Sequence, residues 1–280
     1  MLRFIGFILA FVAGSVHAGT FTETAKSGGF DRTWYVHVPP SYRQGHPLPL
    51  VIVYHGSGGS GAKIESRIGL DAVADEQGFI AVYPDGISTV WAGGLADEAD
   101  AAGVDDVAFT AALLDRLGAE YSIDRQHVVA AGFSNGAHLV HLLGCRLADR
   151  FTAIVPVGGT MASGSDCHPS RPVTVIEFHD ARDPVNSYAG GRAGINGAGR
   201  AEAVPNGIWN WALRDKCRTP ASETRSPATG YPVVLNIDDF PGCSGSTIVR
   251  LYTLYNGTHA WPHVPDASAL IGELATGKYK

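Results

Sequence analysis

The chain has 280 residues, of which 45% are hydrophobic and 17% are charged. This length and composition are typical of a globular protein with a substantial buried core, and no shift in composition divides the chain in two. The formal net charge is -6 and no cluster of Lys or Arg stands out, which argues against a nucleic-acid-binding protein.

The amino-terminal segment MLRFIGFILAFVAGSVHAGT has the order of a secretory signal: a basic residue, an apolar stretch and then small residues. We expect residues 1–18 to be a signal peptide cleaved after Ala18, and residues 19–280 to form a single domain. The alternative is an uncleaved anchor helix, but the segment is short for a hydrocarbon core of roughly 30 Å. The prediction is a secreted or periplasmic protein without a stable membrane anchor.

Export makes the four cysteines informative, because thiols oxidise outside the cytoplasm. Four cysteines allow three pairings, and closeness in sequence favours Cys145–Cys167 and Cys217–Cys243. Each cross-link would stabilise the fold by roughly 3 kcal/mol. Buried free thiols are the alternative, which stays open for Cys145 because it lies in an apolar helix.

Strand and helix patterns alternate along most of the chain. The first predicted strand, TWYVHV, alternates polar and apolar residues and is predicted to lie at a sheet edge, ending at Pro39 and Pro40. The strands LPLVIVY and FIAVYPDG are apolar on both faces, as buried strands are, and a helix lies between them. The later elements, in chain order, are a helix over residues 104–121, the strand HVVAAGF, the helix NGAHLVHLLGCRLA, the strands FTAIVPV and VTVIEFHD, an irregular segment over residues 189–199, a helix around Trp209 and Trp211, the strand TIVRLYTLYNG and the short helix DASALIGELATG.

This order predicts an α/β protein with a mostly parallel sheet and helices on both faces. In such folds ligands bind at the carboxyl ends of the strands. We expect the irregular segment over residues 189–199 to help shape the pocket there.

One G-x-S-x-G motif, GFSNG at residues 132–136, lies between an apolar strand and an apolar helix. In such a sharp strand-to-helix turn the glycines allow close backbone approach, and Ser134 is held in a strained conformation with its hydroxyl at the end of the sheet. The alternative is an ordinary helix N-cap serine. The flanking elements favour a nucleophile.

A serine nucleophile requires a histidine base and an acid that orients it. In α/β-hydrolases these follow the serine in the order acid, histidine, each on a loop after a later strand. The segment VTVIEFHDARDPV ends a strand with two carboxylates, Asp180 and Asp183, and His259 lies just beyond the last strand. Both positions fit the required order.

Other histidines and acids compete for these roles. His263 is the nearest alternative to His259. His138 and His141 are assigned to packing or to the surface, His55 belongs to the stretch YHGSGGSG, and His179 lies at a strand end. The acid pairs Asp105–Asp106 and Asp238–Asp239 are predicted to lie at a helix start and in a turn. The histidines and cysteines form neither H-E-x-x-H nor C-x-x-C, so no metal site is predicted.

The loop YHGSGGSG after the strand LPLVIVY also fits G-x-G-x-x-G, through Gly56, Gly58 and Gly61, and Asp85 ends the next strand. This pattern could bind a dinucleotide. Export and the hydrolase-like constellation favour another use, in which the loop directs a backbone N–H towards an oxyanion. We predict an oxyanion hole formed by the amides of Ser57 and Asn135.

Several segments together resemble the secreted esterases grouped as poly(3-hydroxybutyrate) depolymerases and feruloyl esterases of carbohydrate esterase family one. The resemblance covers residues 34–262 and rests on these stretches: PLVIVYHGSGGSG, YPDG, VDDVAFTAALLD, IDRQHVVAAGFSNGA, RPVTVIEFHDARDPVNSYAGG and NGTHAWP. It implies an α/β-hydrolase fold, Ser134 as nucleophile, His259 as base and Asp183 as acid.

Asp183 occupies the position of the aspartate in the family pattern H-G-T-x-D-x-x-V-P-Y. The chain departs from that pattern at four positions, with Asp180, Ala181, Asn186 and Ser187 in place of Gly, Thr, Val and Pro. Asp180 is therefore a reserve acid. The resemblance also supports the Cys217–Cys243 disulfide.

Trp261, Tyr188 and Trp91 are candidates for a substrate-binding wall, although tryptophans near strand ends are more often core residues. The function predicted is a serine carboxylic-ester hydrolase that acts without a metal or organic cofactor. Its expected substrates are polyhydroxyalkanoate chains or oligomers, or hydroxycinnamoyl (feruloyl) esters. The alternatives are a non-catalytic polymer-binding protein and a dinucleotide-binding protein.

Overall fold

A computed structural model describes residues 18–194, 197–226 and 235–279, so the predicted signal peptide lies, except for its last residue, outside the described residues. The strands of the described chain are β1 (Gly19–Ser27), β2 (Phe30–Val38), β3 (Leu48–Tyr54), β4 (Ile80–Pro84), β5 (Ile123–Phe133), β6 (Ala153–Val157), β7 (Thr174–Asp180), β8 (Gly191–Ala193), β9 (Gly199–Ala201), β10 (Ala221–Arg225), β11 (Leu235–Phe240) and β12 (Val249–Leu254). The helices are α1 (Gly61–Ile68), α2 (Leu70–Gln77), α3 (Glu98–Ala101), α4 (Asp106–Glu120), α5 (Asn135–Arg146), α6 (Val204–Arg214) and α7 (Ala267–Ala275).

Ten strands form one sheet in the order β1-β2-β4-β3-β5-β6-β7-β12-β11-β10. The strands from β4 to β12 in that order are parallel to one another. Antiparallel strands extend the sheet at both ends. The carboxyl ends of β3, β5, β7 and β12 therefore meet at one edge of the sheet, where the candidate site lies.

Helices cover both faces of the sheet. Along β3, Ile52 packs in the core that contains Leu139 of α5, whereas Val51 and Val53 pack in the core that contains Ile64 of α1. Successive side chains of a strand point to opposite faces, so a central strand covered on both sides must be apolar at every position. The predicted α/β fold, with a mostly parallel sheet and helices on both faces, is confirmed.

The prediction that TWYVHV is an edge strand is wrong. This segment belongs to β2, which pairs with β4 on one side and with β1 on the other. The true edge strand, β1, has the sequence GTFTETAKS and is mostly exposed. A strand that buries so little apolar surface carries only a weak hydrophobic pattern.

Three further details differ from the sequence prediction. The helix expected after Gly61 is two helices, because Gly69 at φ 68° separates α1 from α2. Asp238 and Asp239 lie in strand β11 instead of a turn. The segment over residues 189–199 contributes to a short two-stranded ribbon of β8 and β9.

The structure contains two disulfides, Cys145–Cys167 and Cys217–Cys243. The first joins the end of α5 to the loop after β6, and the second joins the end of α6 to the loop after β11. Within the described ranges, no helix is both long and apolar enough to cross a membrane.

A buried ion pair connects β2 to α4. Arg32 Nη2 lies 2.8 Å from Asp106 Oδ1, and both side chains are at most 1% exposed. Burial raises the pKa of the Asp106 carboxyl, while the Ala92 amide and Arg32 oppose that rise. The ionised Asp106 carboxylate thus depends on Arg32, because water does not reach this buried position to solvate the charge.

Replacing Arg32 by Met should lower the free energy of unfolding by about 3–5 kcal/mol, because Asp106 would keep a buried charge without its cation. Denaturant titration measures this change. Lys26→Met is the matched control, since Lys26 pairs with Asp31 at 76% and 84% side-chain exposure and should change stability by less than about 1 kcal/mol. Equal effects of the two substitutions would contradict the assigned importance of the buried pair.

Candidate active site

Ser134 lies in the sharp turn between β5 and α5, with φ 56° and ψ −117°. This region of backbone space strains every residue except glycine. The turn depends on its two glycines: a Cβ on Gly132 would overlap the carbonyl of Gly136, and a Cβ on Gly136 would overlap the carbonyl of Tyr54. The strand-to-helix turn expected from GFSNG is therefore present, with the serine at its tip.

His259 and Asp183 meet beside this turn. His259 Nδ1 lies 2.7 Å from Asp183 Oδ2, and the His259 ring packs on Phe133 with centroids 4.8 Å apart. The Asp183 side chain is 1% exposed and that of His259 is 13% exposed. Ser134 and His259 line the same cavity, of about 560 Å³. The structure thus gathers the three side chains from loops after β5, β7 and β12.

Asp183 is held firmly on its other side. Its Oδ1 accepts hydrogen bonds from the amides of Val185 at 2.7 Å and Asn186 at 2.8 Å. Two amide donors stabilise the ionised carboxylate and fix its plane. Oδ2 is then left to accept from the imidazole, which sets the His259 tautomer with Nε2 unprotonated.

A buried charge cluster lies behind Asp183. His179 Nε2 is 3.9 Å from Asp183 Oδ2, and His179 Nδ1 is 3.6 Å from Glu177 Oε1, with all three side chains at most 1% exposed. Burial alone would lower the pKa of His179, but Glu177, the Asn186 carbonyl and Asp183 outweigh burial and raise it. A protonated His179 would offset the negative charge that Asp183 carries in a dry environment.

The reserve-acid interpretation of Asp180 is wrong. Its Oδ2 accepts hydrogen bonds from the amides of Asn256 at 2.7 Å and Gly257 at 2.9 Å, and its Oδ1 accepts from the amide of Arg182 at 2.8 Å. Asp180 therefore anchors the loop that carries His259. The hydrogen bonds to Asn256 and Gly257 join residues more than seventy positions apart, which is why the sequence alone did not reveal them.

Replacing Asp180 by Ala should lower kcat by about tenfold to a hundredfold, because small displacements of a catalytic group have effects of that size. KM should change little, since the loop anchor does not line the cavity. Steady-state kinetics measure both constants. Asp180→Asn, which keeps one acceptor oxygen, should recover part of the loss, and Asp238→Asn in β11 is the control. An Asp180→Ala enzyme with the wild-type kcat would contradict the anchoring role.

The glycine-rich loop after β3 is fixed by His55. His55 Nε2 accepts a hydrogen bond from the Gly86 amide at 3.0 Å, so Nδ1 carries the proton and donates to the Gly56 carbonyl at 2.8 Å. Burial lowers the pKa of His55, consistent with this neutral form. The loop reaches the nucleophile, since a Cβ on Gly56 would lie 3.1 Å from Ser134 Cβ.

Ser57 and Asn135 are the residues whose amides are predicted to form the oxyanion hole. Both residues line the cavity that holds Ser134, and within the described chain neither amide donates a hydrogen bond to another protein group. The Asn135 side chain is pinned by the backbone of Trp91, accepting from its amide at 2.6 Å and donating to its carbonyl at 3.0 Å. This geometry leaves two amides available for an incoming oxygen.

The structure corrects the dinucleotide alternative. Asp85 accepts a hydrogen bond from the amide of Gly61 at 2.6 Å, so its carboxylate serves the chain's own loop. A Cβ on Gly61 would overlap the carbonyl of Tyr83, so this glycine is explained by close backbone packing. No acid is left at β4 to bind a ribose hydroxyl in the way that the pattern requires.

The three aromatic residues predicted to bind substrate have different surroundings. The prediction for Trp91 is wrong, because Trp91 is 0% exposed and donates its Nε1 hydrogen to the His55 carbonyl. Tyr188 donates to or accepts from Thr253 and packs against the core, outside the lining of the Ser134 cavity. Trp261 lines a second cavity, of about 580 Å³, which also includes His259.

Sequence reasoning missed several residues of the site. Phe133 supports the His259 ring, and Asn186 donates to the Gly158 carbonyl at 2.6 Å beside it.

His138, assigned to packing or to the surface, lines the Ser134 cavity and contacts the backbone of Thr160. Asp97 lies in the same wall, where burial and Asp100 raise its pKa to about 7. A G-x-S-x-G motif locates the nucleophile, but it leaves residue 133 unspecified and carries no information about Asp97 or Asn186. As expected from the sequence, residues 189–199 contribute to the wall, through Arg192, Ala193 and Gly194.

Comparison with known proteins gives a consistent result. A family model described as Esterase PHB depolymerase matches residues 33–195. A protein of Nocardia uniformis subsp. tsuyamanensis named as an esterase, NocK, is 28% identical over 280 residues, covering 90% of this chain and 78% of that protein. Feruloyl esterase C of Emericella nidulans is 28% identical over 166 residues, covering 57% of this chain and 58% of that protein. The chain thus spans little more than half the length of that feruloyl esterase.

Among solved structures, an acetyl xylan esterase from Aspergillus awamori superimposes with a TM-score of 0.65. The match covers 91% of this chain and 99% of that chain, at 13% sequence identity. At this identity the likeness shows a shared α/β-hydrolase fold and nothing of the substrate.

Proposed function

Because this chain belongs to the esterase PHB depolymerase family and is therefore a carboxylic ester hydrolase, we propose that it works through an acyl-enzyme formed on Ser134. The observation that carries the proposal is the strained Ser134 in one cavity with His259, whose Nδ1 bonds to Asp183 at 2.7 Å. A serine, an imidazole and a carboxylate in this order form the triad of serine hydrolases.

The reaction follows from these positions. Ser134 Oγ attacks the ester carbonyl carbon while His259 Nε2 takes the hydroxyl proton, and the carbonyl π electrons move to the oxygen. The amides of Ser57 and Asn135 stabilise that oxyanion. The C–O bond to the alcohol then breaks, and His259 returns the proton to the leaving oxygen. Water, deprotonated by His259, releases the acid and restores Ser134.

Asp183 has two roles in this scheme. It keeps the His259 proton on Nδ1 before attack, and it stabilises the imidazolium that forms afterwards. Asp180 supports the same base indirectly, through the loop amides. The scheme needs water as the second reactant and no metal or organic cofactor.

The proposed substrates are esters of hydroxyalkanoate chains or of hydroxycinnamic acids. The family description supports the first class, and the curated relatives named feruloyl esterase support the second. Apolar Leu95 and Val185 line the Ser134 cavity together with polar groups, which suits an acyl part of mixed character.

Rates on soluble 3-hydroxybutyrate oligomers and on methyl ferulate, measured side by side, test this proposal. We expect the wild type to hydrolyse at least one of them, with the Ser134→Ala protein as the matched inactive control. Binding of the oligomers or of methyl ferulate without hydrolysis would support the alternative of a non-catalytic binding protein. Equal rates for the wild type and Ser134→Ala would contradict the assigned nucleophile.

We also propose that the protein is exported and functions as residues 19–280, a single catalytic domain. The two disulfides support an oxidising compartment. Sequencing the amino terminus of the protein from the native host's periplasm or medium tests this, with Gly19 as the expected first residue. Recovery of the intact precursor in the cytoplasm would contradict it.

A further inference from the structure

A second cavity, of about 580 Å³, adjoins the Ser134 cavity at His259. The two cavities share Gly56, Ser57, Phe133 and His259, so they meet at the reacting centre. One ester substrate can therefore occupy both, with its carbonyl group at the junction. The catalytic role of the triad explains only the lining residues that the two cavities share, and the other lining residues of the second cavity have no role in it.

The second cavity is basic. Lys63, Arg67 and His263 line it, whereas none of its described lining residues is Asp or Glu. This contrasts with a chain of net charge -6. A cavity with a charge opposite to that of the whole protein favours an anionic ligand.

The nearby carboxylates point elsewhere or are already bound. Glu65 of α1 accepts a hydrogen bond from Thr20 Oγ1 at 3.0 Å, on the side of the helix towards β1. Asp85 accepts from the Gly61 amide, and Asp266 accepts from the Ser268 and Ala269 amides at the start of α7. None of them pairs with Lys63 or Arg67 within the described chain.

Lys63 and Arg67 of α1 have no carboxylate partner among the residues that the structure describes. Lys63 and Arg67 are four residues apart on one helix face, where like charges repel each other. Neither forms an ion pair with any of the described residues. The Lys63 ammonium instead lies 3.4 Å from the Gly58 carbonyl, one residue from the Ser57 amide. Lys63 is thereby placed beside the proposed oxyanion hole.

Part of the cavity wall is apolar. Ile64, Ile68 and Trp261 belong to it and are almost fully buried. Such a wall suits a short hydrocarbon chain that ends in a charged group. We infer that the second cavity binds a carboxylate of the ester substrate, held by Lys63 and Arg67. This inference rests on the proposed function, because it concerns the same reacting centre.

A carboxylate could belong to either half of the ester, and two pairs of substrates distinguish these sources. In the first pair, a 3-hydroxybutyrate trimer with a free carboxyl terminus, where the carboxylate belongs to the alcohol half at the last ester bond, is compared with its terminal primary amide. In the second pair, monomethyl adipate, where the carboxylate belongs to the acyl half, is compared with its primary amide. The amides keep the shape and remove the charge.

The readout is the ratio of kcat/KM for each acid to that for its amide, because any common loss of activity cancels. For one of the two pairs we expect the wild type to prefer the acid by up to about tenfold at low salt, since each of the two exposed cations contributes about threefold. The acid-to-amide ratio should fall towards one at 1 M NaCl, where the Debye length is only about 3 Å and exposed charges are largely screened.

Lys63→Gln and Arg67→Gln should each lower the preference by about threefold, and Lys63→Arg should retain it. Lys26→Gln, at an exposed position on β1, is the matched control and should leave the ratio unchanged. A wild-type ratio of one for both pairs would overturn the inference while the proposed esterase function stands. The inference would also be overturned if the acid-to-amide ratio of kcat/KM were the same in Lys63→Gln and Arg67→Gln as in the wild type. If the wild type hydrolyses methyl ferulate but none of the four esters, the inference is wrong while the proposed esterase function stands. If it hydrolyses neither the four esters nor methyl ferulate, both the inference and the proposed substrates are wrong.

Discussion

Replacing Ser134 by Ala should lower kcat by about a million-fold, because the triad acts as a unit and loss of its nucleophile removes nearly all of the triad's contribution. KM should change little, since one hydroxyl contributes little to ground-state binding. Steady-state kinetics on any ester that the wild type hydrolyses measure both constants. A variant without its nucleophile should still exceed the uncatalysed rate by about a thousandfold to ten thousandfold, through the oxyanion hole and binding. A loss of kcat much smaller than about a million-fold would point to another nucleophile.

A second substitution separates the chemistry of Ser134 from its strain. Ser134→Gly also removes the nucleophile, but glycine adopts φ 56° without a Cβ clash. Relief of strain amounts to about 1–3 kcal/mol, so this inactive variant should melt at a higher temperature than Ser134→Ala. Identical melting temperatures for the two inactive variants would show that the turn stores no strain.

Asp183→Asn should lower kcat by about ten thousand-fold through the wrong histidine tautomer. The amides of Val185 and Asn186 donate to Oδ1, so an asparagine must place its oxygen there. Its NH2 group then faces His259 Nδ1 and donates to it. The His259 proton is driven to Nε2, which can no longer accept the proton of Ser134.

The matched control for this substitution is Asp180→Asn, three residues earlier at the end of β7. That change should cost less than a hundredfold in kcat, because Asp180 acts on the position of the His259 loop and not on the protonation of the ring. Kinetics of both variants at the same pH decide between the two acids. A larger loss for Asp180→Asn than for Asp183→Asn would reverse the roles assigned to them.

The sequence predicted those features that local pattern determines. Buried parallel strands are apolar on both faces, so β3 and β4 were identified and the fold class followed. Ser134 was singled out because its motif lies between a strand and a helix. The choice of Asp183 over Asp180 needed the family resemblance, since spacing alone placed both acids on the same loop.

Features that depend on distant contacts could not be read from local pattern. The Asp180 carboxylate bonds to amides of residues 256 and 257, and the Trp91 backbone bonds to the Asn135 side chain. Trp91 was a candidate for the substrate-binding wall because local sequence does not show whether the whole fold buries a residue. Strand β1 was missed because it is mostly exposed and so has little of the hydrophobic alternation that identifies a strand.

The most direct test of the central claim is to label the wild-type protein with a fluorophosphonate probe and to locate the adduct by peptide mass mapping. We expect one adduct, on Ser134, with loss of esterase activity in proportion to labelling and with protection by an ester substrate. An active protein that takes up no probe, or that loses activity when a different residue is labelled, would contradict the assignment of Ser134 as the nucleophile.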